Sequence, residues 1–145
     1  ALVYELIRGV QLDVVARRAE PTALNRFKII YDVGCALMYL HSQTPPIAHS
    51  DLKGSNIMVE ELRSGLRAKV IDFGMSRFMA HGTRAGGGSL GWSPPERFTH
   101  RDGADDVSSD VFSFGWLVHL ALTGEGPHEN ARGEALQAAV SEMLL

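Results

Sequence analysis

The chain has 145 residues, 45% of them hydrophobic, with a formal net charge of −3 and a single cysteine. This is the length of one domain and the composition of a globular protein. The charge gives no support to a basic nucleic-acid-binding face or a polybasic membrane contact. The lone Cys35 excludes an internal disulfide framework and a cysteine-rich zinc site, and fits an intracellular setting.

In chain order, Leu2 to Leu6 is a short apolar run that reads as a strand, broken by Arg8-Gly9. Leu12 to Arg18 reads as a short helix. Pro21-Thr22 then opens a longer helical pattern whose apolar positions are Ile30, Val33, Leu37 and Leu40, closed by Pro45-Pro46. Ile57-Met58-Val59 and Ala68-Lys69-Val70-Ile71 form an expected strand pair joined near Ser64-Gly65. Met75 to Trp92, rich in glycine, reads as one long loop, and loops of this length are usually functional. The run Val111 to Leu122 is an expected core helix, N-capped from Asp105 to Ser109 and ended by Gly124 and Gly126. It is too short to span a bilayer, which takes about 20 residues. Ala135 to Leu145 begins a further helix. No signal peptide opens the chain, and no repeat or low-complexity tract is present.

Chemistry concentrates in His49-Ser50-Asp51-Leu52-Lys53-Gly54-Ser55-Asn56 and, downstream, Asp72-Phe73-Gly74. Phosphoryl transfer asks little covalent work of a protein. It needs a carboxylate to orient a hydroxyl and accept its proton, a cation near the transferred group, and hard oxygen donors for Mg²⁺. Asp51, Lys53, Asn56 and Asp72 are side chains of those types. Gly86 to Gly91 fits the spacing of a nucleotide-binding glycine loop, but it neither follows a strand nor opens a helix, so its glycines are assigned to loop mobility. The six histidines show no paired metal-ligand spacing with a third ligand.

This set resembles the catalytic loop and the metal-binding motif of the protein kinase family. The resemblance runs along the chain in family order. Leu2-Val3-Tyr4-Glu5 is similar to the last N-lobe strand and hinge, Leu24 to His41 to the helix before the catalytic loop, and residues 72–96 to the activation segment ending in Ser93-Pro94-Pro95-Glu96. Ser109 to Gly115 is similar to the start of the central C-lobe helix. The resemblance implies an α+β, kinase-like fold, with residues 1–145 a partial domain: the hinge and a mainly helical part of the C-lobe, without the N-lobe and the C-terminal helices. None of the three lysines, Lys28, Lys53 and Lys69, precedes the hinge, so the family's strand lysine and phosphate loop are expected upstream.

The implied activity is transfer of the ATP γ-phosphoryl group to Ser or Thr of protein substrates, since Lys two residues after the catalytic Asp accompanies Ser/Thr specificity. The wording around Tyr39-Leu40-His41-Ser42 is similar to the tyrosine-kinase-like and receptor-like group. The implied catalytic residues are Asp51, Lys53, Asn56 and Ser89, with Ser89 where the family usually has Thr. Asn56 and Asp72 would hold Mg²⁺. Backbone groups of Glu5 and Ile7 would bond the adenine edge beside the gatekeeper Tyr4, Gln11 would lie near the ribose, and Met58 would form the apolar floor. His49 and Phe73 would stack, Phe73 packing inward, and Asp110 would accept N–H bonds from the catalytic loop. A cytoplasmic setting follows, either free or as the inner part of a receptor, with a protein substrate and neither nucleic acid nor a membrane segment as partner. The isolated chain is expected to be inactive and to fold poorly.

Two departures stand out. Ser50 replaces the Arg that commonly precedes the catalytic Asp, and it cannot form a bidentate ion pair with phosphate, so phosphorylation of Thr83 is not expected to be required. Pro94 replaces Ala before Pro95-Glu96, and Glu96 would pair with a later Arg. The alternatives are a pseudokinase or scaffold that binds partners without chemistry, and an unrelated helical binding module.

Overall fold

The computed structural model describes residues 3, 5–18, 21–79, 89–95, 97 and 107–127. In chain order these form β1 (Val10–Gln11), α1 (Leu12–Ala16), α2 (Ala23–His41), β2 (Ile47–Ala48), a 3₁₀ turn (Gly54–Asn56), β3 (Ile57–Leu62), β4 (Gly65–Val70), β5 (Arg77–Phe78) and α3 (Val107–Thr123). The architecture is α+β.

α2 begins where expected because Thr22 is extended and its hydroxyl accepts the Asn25 N–H at 3.2 Å, satisfying a donor that the first turn cannot. Its buried stripe is Ile29, Val33, Leu37 and Leu40, so the stripe starts at Ile29 and Ile30 is only partly covered. The helix stops at His41, before the two prolines, with Ser42 as cap. β3 and β4 pair antiparallel from Ile57↔Val70 to Leu62↔Gly65, and Gly65 takes the positive φ that closes the turn. Side chains alternate across a strand, and β3 accordingly buries Ile57 and Val59 while Met58 and Glu60 face the other side. β4 is an edge strand, and the Asp32 carboxylate on α2 accepts the Ala68 N–H at 2.9 Å.

One apolar core joins these elements: Leu12 and Val15 of α1, the α2 stripe, Leu52, Ile57 and Val59, and Leu117 and Leu120 of α3. Arg26 ties three helices together. Its guanidinium donates to the carbonyls of Ala16 at 3.3 Å and of Ala121 at shorter range, at the C-terminal ends of α1 and α3, where a cation is favoured. α3 ends as expected, the Gly124 N–H closing on the Leu120 carbonyl at 2.8 Å with φ 81°.

Three expectations are corrected. Residues 3, 5 and 6 are not in a strand. The strand lies later, at β1, because pairing needs a partner and β3 offers one to Val10 and Gln11. The stretch from Met75 is not all loop, since β5 pairs with β2 through Ile47↔Phe78 and Ala48↔Arg77. Phe73 does not pack inward but is 49% exposed. Tyr4, Thr83, Gly86 to Gly88, Glu96, Asp105 and the helix expected from Ala135 lie outside the described residues, while Gly91 lies in a turn with φ 85°.

Candidate active site

The segment from His49 to Asn56 hangs between β2 and β3, and a buried carboxylate shapes it. Asp110, 1% exposed in the first turn of α3, accepts the His49 N–H at 2.7 Å and the Ser50 N–H at 2.9 Å, one on each oxygen. His41, the last residue of α2, also places Nε2 3.0 Å from Asp110 Oδ2. A buried carboxylate without partners would be costly, and three convergent donors explain its place here. Ser50 takes φ 68°, a left-handed conformation uncommon outside glycine.

The Asp51 side chain is where the expected catalytic residues meet. Its Oδ2 accepts from Lys53 Nζ at 2.8 Å and Asn56 Nδ2 at 3.2 Å, and its Oδ1 accepts from the Ser89 hydroxyl at 2.8 Å. Lys53 Nζ also donates to Ser89 Oγ at 2.9 Å, and Asn56 Nδ2 to the Asp51 carbonyl at 2.8 Å. Four residues spread over 38 positions of sequence thus form one closed network. Burial pushes the Asp51 carboxyl up, but the hydrogen bonds from Lys53, Ser89 and Asn56, with the Lys53 charge, outweigh it and hold the group below its ordinary value. Asp51 is therefore an ionised acceptor at neutral pH.

Close packing brings this loop against the core. A Cβ on Gly54 would overlap the Asp13 carboxylate and lie 2.7 Å from Leu120 Cδ2, so any larger residue in the turn between Lys53 and Asn56 forces those side chains of α1 and α3 to shift.

Asp72 follows β4 with φ 63°, and its Oδ1 accepts the Gly74 N–H at 3.2 Å. It is brought to the Asn56 side of the site by backbone: the Ile71 N–H donates to the Asn56 carbonyl at 2.9 Å. Because the Asn56 amide nitrogen is committed to Asp51, its Oδ1 remains available, as does Asp72 Oδ2; neither accepts a hydrogen bond among the described residues. Two uncommitted hard oxygens fit the ligand chemistry of Mg²⁺. No group of three His, Cys, Asp or Glu side chains suited to a metal occurs among the described residues, so these donors need phosphate oxygens or water to complete a coordination sphere. His49 sits beneath, Nε2 3.1 Å from the Ile71 carbonyl and the ring edge-on to Phe73 at 5.1 Å between centroids.

The residues expected around a base are arranged on a second face. β1 pairs Gln11 directly with Met58, so the two side chains share one patch. Lys69, opposite Met58 on β4, bridges Glu60 at 3.0 Å and Glu5 at shorter range, while Glu60 accepts the Arg8 N–H at 3.2 Å. The hydrogen bonds to Glu5 and Glu60 raise the Lys69 ammonium above its ordinary value. Glu5 is thereby held against the β3–β4 hairpin. Ile7 differs from its expected neighbours: it lines a cavity of about 480 Å³ with Val10, Val15, Val59 and Leu66, next to the core-side residue Val59 of the hairpin.

His41, Lys69 and Arg97 were not singled out by sequence reasoning. His41 carried a signal, since it ends the helical pattern just before the catalytic loop. Lys69 carried one in its register opposite Met58. Arg97 carried none.

An α+β core that carries a carboxylate, a lysine and an amide oxygen on one loop, with a second carboxylate just after β4, offers the side-chain types that phosphoryl transfer uses. The chain belongs to the protein kinase family: residues 1–144 match the protein kinase domain. It is 36% identical over 134 residues to human ankyrin repeat and protein kinase domain-containing protein 1, covering 88% of this chain and 17% of that protein. It is 36% identical over 118 residues to the serine/threonine-protein kinase CTR1 of Arabidopsis thaliana, covering 79% of this chain and 14% of the relative. With the calmodulin-binding receptor-like cytoplasmic kinase 2 of the same plant it shares 42% over 118 residues, covering 75% of this chain and 27% of the relative. The chain therefore spans less than a third of the length of each of these relatives. No helix among the described residues is long and apolar enough to cross a membrane.

Proposed function

We propose that this chain is the hinge and part of the C-lobe of a serine/threonine-protein kinase, whose whole protein transfers the γ-phosphoryl group of Mg-ATP to a protein hydroxyl. The observation that carries the reading is the closed network of Asp51, Lys53, Asn56 and Ser89. Asp51, ionised at neutral pH, orients the substrate hydroxyl and takes its proton. Lys53 places positive charge beside that carboxylate, where the transferred group gains negative charge. Ser89 receives the Lys53 ammonium and donates to Asp51, keeping both in register. Asn56 and Asp72 would hold Mg²⁺ through Asn56 Oδ1 and Asp72 Oδ2, which accept no hydrogen bond among the described residues, and the bound ion would supply charge to neutralise the phosphates. The backbone of Glu5 and Ile7 recognises the adenine edge, Met58 lies under the base and Gln11 beside the ribose. The Ser/Thr assignment rests on Lys53, supported by the relatives' names, and the setting is cytoplasmic.

The test is phosphoryl transfer from labelled ATP to protein acceptors by the full-length polypeptide that carries this chain. Asp51→Asn should lower kcat by about 10²- to 10⁴-fold with little change in the KM for ATP. Equal kcat in the variant would overturn the assignment. A wild type that binds Mg-ATP but transfers nothing would make the protein a pseudokinase.

A further inference from the structure

The sequence departs from its family at Ser50, where a cation usually precedes the catalytic Asp, and the structure brings a different cation to that place. Arg97, three residues past Pro94, donates from Nη1 to the Ser50 carbonyl at 2.7 Å and to Ser93 Oγ at 3.3 Å. The Ser50 side chain contributes nothing in return, its buried Oγ having no hydrogen-bond partner among the described residues. Among the described residues Ser50 is held through its backbone: N–H on Asp110 Oδ1, carbonyl on Arg97.

That carbonyl belongs to the peptide unit leading into Asp51. The N–H of the same unit points to His49 Nδ1 at 3.4 Å. Both polar groups of the unit are therefore engaged, and its plane sets the direction in which the Asp51 side chain leaves the backbone. Left-handed φ at a residue other than glycine is strained and persists only where its surroundings over-determine it. Among the described residues Asp110 and Arg97 are charged groups that do so for Ser50.

Arg97 and Ser89 lie on one stretch of chain. The Trp92 and Ser93 N–H groups both close on the Ser89 carbonyl at 3.1 Å, and the Ser113 hydroxyl of α3 donates to the Trp92 carbonyl at 2.8 Å. One end of this stretch touches the Asp51 carboxylate and the other the peptide before it. We infer that Arg97 is a positioning residue for Asp51: it clamps the Ser50–Asp51 peptide from the end of the activation segment and replaces the missing loop arginine with a contact that needs no phosphate. The inference rests on the kinase reading above and adds a residue and a mode of regulation to it.

The test uses the full-length enzyme, wild type and with Arg97→Met or Arg97→Lys. A hydrogen bond from a charged donor is worth enough that its loss should lower kcat by about 10- to 100-fold. The KM for ATP should stay within about twofold, because the clamp does not touch the base-binding face. Arg97→Lys should recover part of kcat, and phosphatase-treated wild type should keep its activity. Unchanged kcat in Arg97→Met overturns the inference. So does a loss of kcat that comes with an equal rise in KM and a large fall in Tm, which marks a merely structural role. Loss of wild-type activity on phosphatase treatment also overturns it. Hydrogen exchange at the Ser50 and Asp51 amides separates this inference from the kinase reading, since it requires no turnover. Faster exchange in Arg97→Met supports the clamp even in a protein that transfers no phosphoryl group, and unchanged exchange overturns it.

Discussion

Asp51 shows how one carboxylate is tuned by its neighbours. Burial alone would raise its pKa, yet the donors around it reverse the sign. A folded-state pKa below the unfolded value means that the network stabilises the fold above about pH 4, the ordinary range of an Asp, and that this contribution is lost as pH falls through the folded value. Lys53→Met removes two hydrogen bonds, to Asp51 and to Ser89, and a charge. The stability gap between variant and wild type, from urea unfolding, should therefore be small near pH 3 and widen toward pH 6. A gap independent of pH would show that Lys53 acts on the fold by some other route. Gly54 is the second residue on which the site depends. Gly54→Ala forces its Cβ against Asp13 and Leu120, and overpacking of this kind costs about 1–3 kcal/mol. A fall in Tm is expected, and an unchanged Tm would mean that α1 and α3 can part without cost.

At the scale of elements, the site is held by helix ends and one hairpin. α2 delivers His41 to Asp110 at its C-terminus and carries in its first turn the Arg26 that grips the ends of α1 and α3. Arg26→Ala would leave those carbonyls without their charged donor and should destabilise the chain by about 1–3 kcal/mol, read as a lower urea midpoint with unchanged m-value. The β3–β4 hairpin has two working faces. Ile57 and Val59 join the core, while Met58, Glu60 and Lys69 meet the segment that carries Glu5 and Arg8. Lys69→Met would release Glu5 and remove the ion-pair partner of Glu60. The expected result in the full-length enzyme is a higher KM for ATP at unchanged kcat, the reverse of the Arg97 variants. Equal KM would show that the hinge holds its course without the lysine.

At the scale of the whole molecule, much apolar surface is uncovered. Leu24, Phe27, Tyr31, Met38 and Tyr39 on α2 and Val111, Phe112 and Leu122 on α3 are all exposed large hydrophobics. Large apolar side chains exposed along two helices favour association. Residues 1–145 in isolation should self-associate at micromolar concentration and bind a hydrophobic dye. A monodisperse monomer with cooperative unfolding would count against this expectation.

The sequence by itself determined the family, the α+β class, and the α2, β3, β4 and α3 elements. These rest on local signals: Thr22 as a cap, helical spacing of apolar residues, alternation in Ile57-Met58-Val59, and Gly124 as a stop. It also named Asp51, Lys53 and Asn56 together, because they lie within one loop whose spacing carries chemical meaning. Only the tertiary structure decided what lies around them. The short strands β1, β2 and β5 exist because partners distant in sequence satisfy their backbone groups, and no local propensity marks them. Asp110 could have been an ordinary helix cap until His41, His49 and Ser50 were seen to converge on it. Arg97 lies 46 positions from Asp51 in sequence, and its hold on the Ser50 carbonyl comes from how the chain returns past the loop. Spacing along a chain reports neighbours within a turn or a strand. Long-range hydrogen bonds follow from packing, and packing is a property of the folded whole.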